Sequence, residues 1–210
     1  MLCIMYILQF VNSVCINPDK MMMVNLDCTI LWVDNQEVLT KAFAEEPTYL
    51  KDNFRGMPEY WRWSISLSRR FRALKLWFVI RMYGLKGLRK YIRHHAKMAQ
   101  VFETLISDDD RFEVTNDVRF GLVCFRLKGE NCQTESLYNQ LLTDGRIFMS
   151  PGSVTNTLDA EKSIYFLRFV ASPLTTVEDV KFAYRVLTET VERSEYTSLN
   201  IVKTEGRNIL

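Results

Sequence analysis

The stretch Asn17-Pro18-Asp19-Lys20-Met21-Met22-Met23-Val24-Asn25-Leu26-Asp27-Cys28-Thr29 decides the reading of this chain. Lys20 stands at the mouth of an apolar run, just behind Pro18. Lysine is strongly hydrated and seldom borders a buried segment without a reason. A lysine so placed can lose its proton, and a neutral amine condenses with carbonyl compounds to a Schiff base. The plainer alternative is a strand-end lysine whose stem lies on apolar surface while its head reaches water. On spacing alone that alternative carries more weight. Downstream, Met22 to Val33 is mostly apolar with Asn25 and Asp27 inset, which suits a buried strand pair or hairpin.

Composition narrows the class. The chain has 210 residues, enough for one or two small domains, and 48% are hydrophobic, so a real core can form. A net charge of +2 argues against a nucleic-acid footprint. The basic residues between Arg69 and Arg93 interleave with apolar ones at helical spacing and read as the charged face of a packed helix. The five cysteines include no CxxC pair and no zinc spacing with His94 or His95, so no metal is expected. An odd, unpatterned count suits a reducing cytoplasm. Met1 to Val11 is apolar but too short to span a bilayer, and it lacks the basic start and cleavage site of a signal peptide. It reads as a would-be core segment or as a start created by truncation; no membrane partner is expected.

Further along, Gln36 to Phe43 suggests a short helix stopped before Pro47, and Pro47 to Trp63 a long loop. Ser66 to Tyr83 reads as a helix capped by serines and ended by Gly84, with Leu76 to Ile80 apolar all round and so buried on most sides. Gly87 to Ile106 is a second, amphipathic helix. Phe112–Val114, Phe120–Leu127, Arg146–Met149 and Ile164–Ala171 read as strands, and Glu135–Leu142 as a helix. Thr176 to Glu192 closes the pattern as a helix capped by Thr175 or Thr176, with a polar tail after Ser194. This order predicts an α+β sandwich with helices on one sheet face.

The lysine segment resembles that of the group II pyridoxal-phosphate decarboxylases, the aromatic-L-amino-acid, tyrosine and histidine decarboxylase family. The matching blocks are Phe10-Val11-Asn12-Ser13, Asn17-Pro18-Asp19-Lys20-Met21, Val24-Asn25-Leu26-Asp27-Cys28-Thr29 and Trp32-Val33. They continue through Tyr49-Leu50-Lys51, Leu67-Ser68-Arg69-Arg70-Phe71-Arg72-Ala73-Leu74-Lys75-Leu76-Trp77-Phe78, Gly121 to Gly129 and Tyr165-Phe166-Leu167-Arg168-Phe169. The resemblance covers about Leu8 to Arg193. It implies an α/β to α+β fold, the carboxy-terminal part of a fold type I pyridoxal-phosphate (PLP) enzyme. Residues 1–84 would be a remnant of the large PLP-binding domain, 85–195 the small α+β domain and 196–210 a polar tail.

The same resemblance implies roles for particular residues. Lys20 would carry PLP as a Schiff base, with Asn17 and Asp19 beside the cofactor. Asp19 stands where relatives carry a histidine near the phosphate, and a carboxylate repels a phosphate dianion. Met21 replaces a tryptophan. Tyr60, on the long loop, would protonate the carbanion while the loop excludes water; the plainer reading is an aromatic anchor. Trp61-Arg62 departs from the usual Arg-His after that tyrosine. Ser68 matches the serine of histidine and tyrosine decarboxylases, where dopa-type enzymes carry glycine; the alternative is a helix N-cap. Arg168, inside an apolar strand, packs at a domain boundary with an acidic partner and has no site role.

The implied reaction is decarboxylation of an aromatic L-amino acid to its amine, with tyrosine favoured and histidine or dopa possible. A homodimer is expected of the full-length protein. The family's upstream part, with the aspartate that pairs with the pyridine nitrogen, has no counterpart in the chain, so impaired activity is expected. The alternative is a non-catalytic truncated paralogue that pairs with a full-length decarboxylase subunit.

Overall fold

The computed structural model describes residues 8–43, 60–66, 68, 70–156, 159–172 and 174–205. They fall into two compact units, one ending at Leu88 and the other beginning at Arg89.

The first unit is built on a two-stranded antiparallel ribbon. Strand β1 (Ser13–Ile16) pairs with β2 (Ile30–Val33), placing Ser13 opposite Val33 and Ile16 opposite Ile30. Between them lies a single helical turn, α1 (Pro18–Met21), where Pro18 supplies a preset φ at a position whose N–H would be unsatisfied anyway. The expected hairpin within Met22–Val33 is therefore corrected: only its last four residues form a strand, and their partner lies upstream of Lys20. The physical reason is visible in the intervening loop. Met23 adopts a left-handed φ of 54°, and the carbonyls of Asn25 and Leu26 accept from the Lys75 ammonium instead of from a neighbouring strand. Val24 and Cys28 are buried and anchor this loop.

Helix α2 (Gln36–Ala42) forms where expected, its N-terminus closed by Asn35 Oδ1, which accepts from the Glu37 N–H at 2.8 Å. Most of the expected long loop, residues 47–59, lies outside the described residues; Tyr60–Trp63 form a 3-10 turn.

Helix α3 spans Ala73–Ser107 and is broken at Gly84, whose φ of 61° and ψ of 175° no L side chain adopts comfortably. The expected stop at Gly84 is thus present as a break. The start is corrected from Ser66 to Ala73, because turn bonds from Arg72 to Arg70 and from Leu74 to Phe71 precede the helix. The serines do not cap it. The expectation that Leu76 to Ile80 are buried is also corrected: Trp77, Phe78 and Ile80 are about half exposed among the described residues.

The second unit holds a four-stranded antiparallel sheet in the order β3 (Phe112–Val114), β4 (Leu122–Leu127), β6 (Asp159–Val170), β5 (Ser150–Asn156). Alternate residues Val123 and Phe125 of β4 pair with Phe169 and Leu167 of β6, and all four are buried. That parity gives the sheet one core face. Against it pack Met98, Ala99, Phe102 and Ile106 of α3, Leu137 and Leu141 of α4 (Asn131–Asp144), and Val180, Val186, Leu187 and Val191 of α5 (Val177–Glu205). The spacing of these positions is that of single helix faces. The Phe102 ring stacks on Phe169 at 4.1 Å and meets Phe125 edge-on at 5.3 Å.

Local devices fix the ends. Gln133 accepts from the Glu130 N–H at the start of α4, and Gly145 ends it with φ of 72°. Thr176 caps α5: its hydroxyl accepts from the Asp179 N–H while Asp179 accepts from the Thr176 N–H. One strand expectation and the expected tail change. Arg146–Met149 is irregular, since Arg146 is turned to Asp144 and Glu189, and the strand begins at Ser150. The backbone after Ser194 continues helical to Glu205 instead of forming a tail.

Candidate functional site

The local geometry around Lys20 follows from α1. Asn17 occupies the N-cap in extended conformation, Pro18 is buried, and the Met22 N–H closes the turn on the Pro18 carbonyl at 2.9 Å. This turn presents two neighbouring side chains in opposite environments. The Lys20 side chain is 72% exposed, whereas that of Asp19 is only 9% exposed. Their charged ends meet, with Lys20 Nζ 3.2 Å from Asp19 Oδ2. The other carboxylate oxygen, Asp19 Oδ1, is buried without a hydrogen-bond partner among the described residues. A buried carboxylate oxygen left in this way keeps its full demand for a donor.

A second cluster lies a few residues on. The Arg72 guanidinium grips Asp27 Oδ2 through Nε at 3.0 Å and Nη2 at 2.7 Å, while Arg70 and Lys75 stand 3.6 and 3.9 Å from Oδ1. The Arg72 hydrogen bonds, helped by the Asp27 backbone N–H, hold this carboxyl below its ordinary range. Cys28 Sγ adds a weak bond to the Arg72 carbonyl at 3.8 Å.

Ser68 lines a cavity of about 630 Å³ with Asp27, Cys28, Thr29, Ser64, Ser66, Arg70 and Arg72. Its alternative as a helix N-cap falls away, because α3 starts at Ala73. Tyr60 is 61% exposed, and its ring lies 5.7 Å from that of Trp63. The structure thus gathers Asn17, Asp19 and Lys20 on one turn and Ser68 in a separate cavity whose lining includes neither Lys20 nor Tyr60. Among the described residues Arg168 has no acidic partner; it donates to the Pro151 carbonyl at 3.2 Å across the β5–β6 pair, which corrects the expected ion pair. Sequence reasoning also missed the Asp27–Arg72–Lys75 cluster. The signal was an aspartate inset in an apolar run, which needs a cation when its loop is packed.

Residues 3–128 match the pyridoxal-dependent decarboxylase conserved domain, which is more than half of the chain. The chain belongs to the pyridoxal-dependent decarboxylase family. Among curated relatives, the aromatic-L-amino-acid decarboxylase of Drosophila melanogaster is 38% identical over 190 residues, covering 90% of this chain and 36% of its own length. Histidine decarboxylase of Mus musculus is 39% identical over 184 residues, covering 87% of this chain and 27% of the relative. The crystal structure of Oryza sativa TDC with PLP and tryptamine superposes with a TM-score of 0.80 at 29% identity, over 89% of this chain and 40% of that one. The chain therefore spans well under half the length of these decarboxylases. Its mixed helix and sheet content is that of the carboxy-terminal portion of a fold type I enzyme, as the sequence resemblance implied.

Proposed function

We propose that this chain supplies the lysine-bearing and carboxy-terminal portion of a PLP-dependent decarboxylase that converts an aromatic L-amino acid to its amine. The observation that carries the reading is the exposed Lys20 amine, set on a proline-initiated turn inside the family-matched segment. The turn fits a covalently held aldehyde cofactor: a primary amine on a proline-initiated turn, reachable from solvent, with the Asn17 side chain making no capping bond. When bound, pyridoxal phosphate supplies an electron sink for the pair left by departing carbon dioxide. Lys20 holds the group by its nitrogen, and Asn17 and Asp19 border it. Tyr60 moves a proton from its phenolic oxygen to the substrate carbon, and the loop that carries it excludes water. Ser68 Oγ offers a hydrogen bond to a polar ring, which favours tyrosine, with histidine and dopa as rivals. The domain reading of residues 1–84, 85–195 and 196–210, a homodimer of the full-length protein and a cytoplasmic location belong to the same proposal.

Borohydride trapping tests it. The chain is mixed with pyridoxal phosphate, reduced, digested and mapped by mass spectrometry. Label concentrated on the Lys20 peptide and lost in Lys20→Ala supports the reading. Label spread evenly over Lys20, Lys41 and Lys75 overturns it.

A second reading is a non-catalytic subunit that pairs with a full-length decarboxylase. The half-exposed row of Trp77, Phe78 and Ile80 favours it, since exposed apolar groups of that size usually mark a contact surface. Co-purification of tagged chain with a full-length relative, lost in Trp77→Asp/Phe78→Asp, would support this; an unchanged complex would count against that surface.

A further inference from the structure

We infer that the outer edge of strand β2 is a self-pairing surface: it takes the same strand of a second copy of this chain, antiparallel, about a two-fold axis at Trp32. The inference is independent of the cofactor reading, and it concerns a different surface from the row of Trp77, Phe78 and Ile80. Its first basis is the strand itself. Ile30-Leu31-Trp32-Val33 is apolar at every position, the pattern of a strand that is covered on both faces. In the first unit it has one neighbour, β1, and Leu31 and Trp32 stand 47% and 55% exposed. A two-stranded ribbon of this kind is marginal in water and gains from added strands.

The second basis is the register. The Asp34 N–H donates to the Asn12 carbonyl at 2.8 Å, and the ladder runs from Ser13 opposite Val33 to Ile16 opposite Ile30. Antiparallel bonding alternates, so Ile30 and Trp32 spend their backbone groups on β1, whereas the N–H and C=O of Leu31 and Val33 point the other way. Among the described residues no backbone bond meets them there. An antiparallel copy places Leu31 opposite its Val33 and Val33 opposite its Leu31, and each pair exchanges both N–H···O=C bonds. Trp32 then faces Trp32 of the second copy in the close, non-hydrogen-bonded position, where aromatic pairs stabilise a sheet. Asp34 falls opposite Ile30, so no like charges meet; a parallel copy would set Asp34 beside Asp34. This self-complementarity is what makes the occupant a second copy. The β1 edge of the ribbon is a poorer template. Beyond Cys15 it runs into Asn17, whose carbonyl already accepts from the Lys20 N–H, and then into Pro18. An edge as short as β2 covers far less than the roughly 1,200 Å² of a stable interface, so the pair is weak and concentration-dependent.

Sedimentation velocity of the whole 210-residue chain tests it. The expected result is a weight-average mass that rises from one chain toward two over about a hundredfold increase in concentration, and no further. Trp32→Lys sets like charges on the axis and should hold the mass at one chain. Val33→Pro removes an outward N–H, a change that edge strands tolerate, and should weaken pairing about tenfold. Trp32→Cys should give a disulfide-linked dimer under mild oxidation, above the parent's level, because β-carbons in the close pair lie about 4.5–5.5 Å apart. A parent that stays at the mass of one chain throughout overturns the proposal. So does association that persists in both Trp32→Lys and Val33→Pro, that grows past two chains, or that is lost instead in Trp77→Asp/Phe78→Asp. Absence of the Trp32→Cys cross-link overturns the register. Circular dichroism checks each variant; if Val33→Pro fails to fold, Trp32→Lys decides, since it alters one half-exposed side chain.

Discussion

The phenol of Tyr184 donates to Asp109 Oδ2 at 3.0 Å, tying the first third of α5 to the turn that follows α3. The same carboxylate receives Arg111 through Nε at 3.0 Å and Nη2 at 2.7 Å, and the Arg111 backbone N–H at 3.0 Å. The Arg111 hydrogen bonds lower the Asp109 carboxyl from 3.8 to about 2 against the opposing effect of burial. The depressed value in the folded state means that the unfolded chain takes up the proton first. The contribution is therefore complete above the unfolded value of 3.8 and is lost as pH falls toward about 2. With the Asp109 side chain only 9% exposed, it is worth on the order of 2 kcal/mol. Asp109→Asn should flatten the acid limb of the stability curve between those values. Parallel acid limbs for parent and variant, followed by chemical denaturation, would refute the assignment. Tyr184→Phe should cost about 1 kcal/mol at neutral pH.

His95 predicts a separate pH dependence nearer neutrality. The residue is 4% exposed, Nε2 has no partner among the described residues, the Tyr91 ring lies 4.3 Å away, and any side chain at Gly121 would come within 3.2 Å of the His95 Cβ. Burial, then the neighbouring His94 charge, lowers its proton affinity below the ordinary 6.5. For a base with a lowered folded value, the unfolded state binds the proton first. Stability is thus intact above 6.5 and declines as pH falls below it toward the folded value. Thermal melts between pH 7.5 and 5 should show this decline, and His95→Leu should reduce its slope. An identical slope in the variant would show that other groups set it.

Removal of the Phe102 ring should be the most costly of these changes. It is fully buried and touches both central strands through Phe169 and Phe125. Phe102→Ala should cost about 3–5 kcal/mol, and Phe102→Leu clearly less, because most of the volume is kept. Denaturant midpoints with an unchanged slope would be the measure; a loss below about 1 kcal/mol would mean that the ring is not a core keystone.

Arg72 should govern the order of the loop from Met22 to Thr29. It binds Asp27 twice with its side chain and receives Cys28 at its carbonyl. Arg72→Ala should leave Asp27 to Arg70 and Lys75 and speed amide exchange across residues 23–29. Arg72→Lys should fall between, since a single ammonium cannot reproduce the two-nitrogen grip. Exchange rates equal to the parent's would place the loop's order in Val24 and Cys28 instead.

Much of the second unit was legible because its elements carry their own punctuation. Thr176 and Asp179 formed the cap that their spacing suggested, and Phe102 and Ile106 fell on the buried face of an amphipathic helix. The lysine segment was legible through resemblance, since spacing alone favoured a snorkelling side chain. Errors arose where a distant partner decides the outcome. The pattern of Met22 to Val33 could not reveal that Lys75, some fifty residues on, would take its carbonyls. The Arg146–Met149 run looked like a strand because Ile147, Phe148 and Met149 form a short apolar run, yet Arg146 is claimed by two carboxylates. Adjacency in sequence does not distinguish the buried Asp19 carboxylate from the exposed Lys20 amine, because the fold of the turn sets their burial.

Gly84 carries a stereochemical consequence. Its φ of 61° and ψ of 175° are the mirror image of an ordinary extended conformation, and nothing lies within 4 Å of the place where an L side chain would begin. The obstacle to a larger residue at that point is handedness, not space. The achiral glycine is doing what a D-amino acid would do with ease, so D-alanine placed there by chemical ligation should be accommodated where L-alanine is strained. At this one position, the chain's choice of residue is dictated by the mirror symmetry of its backbone.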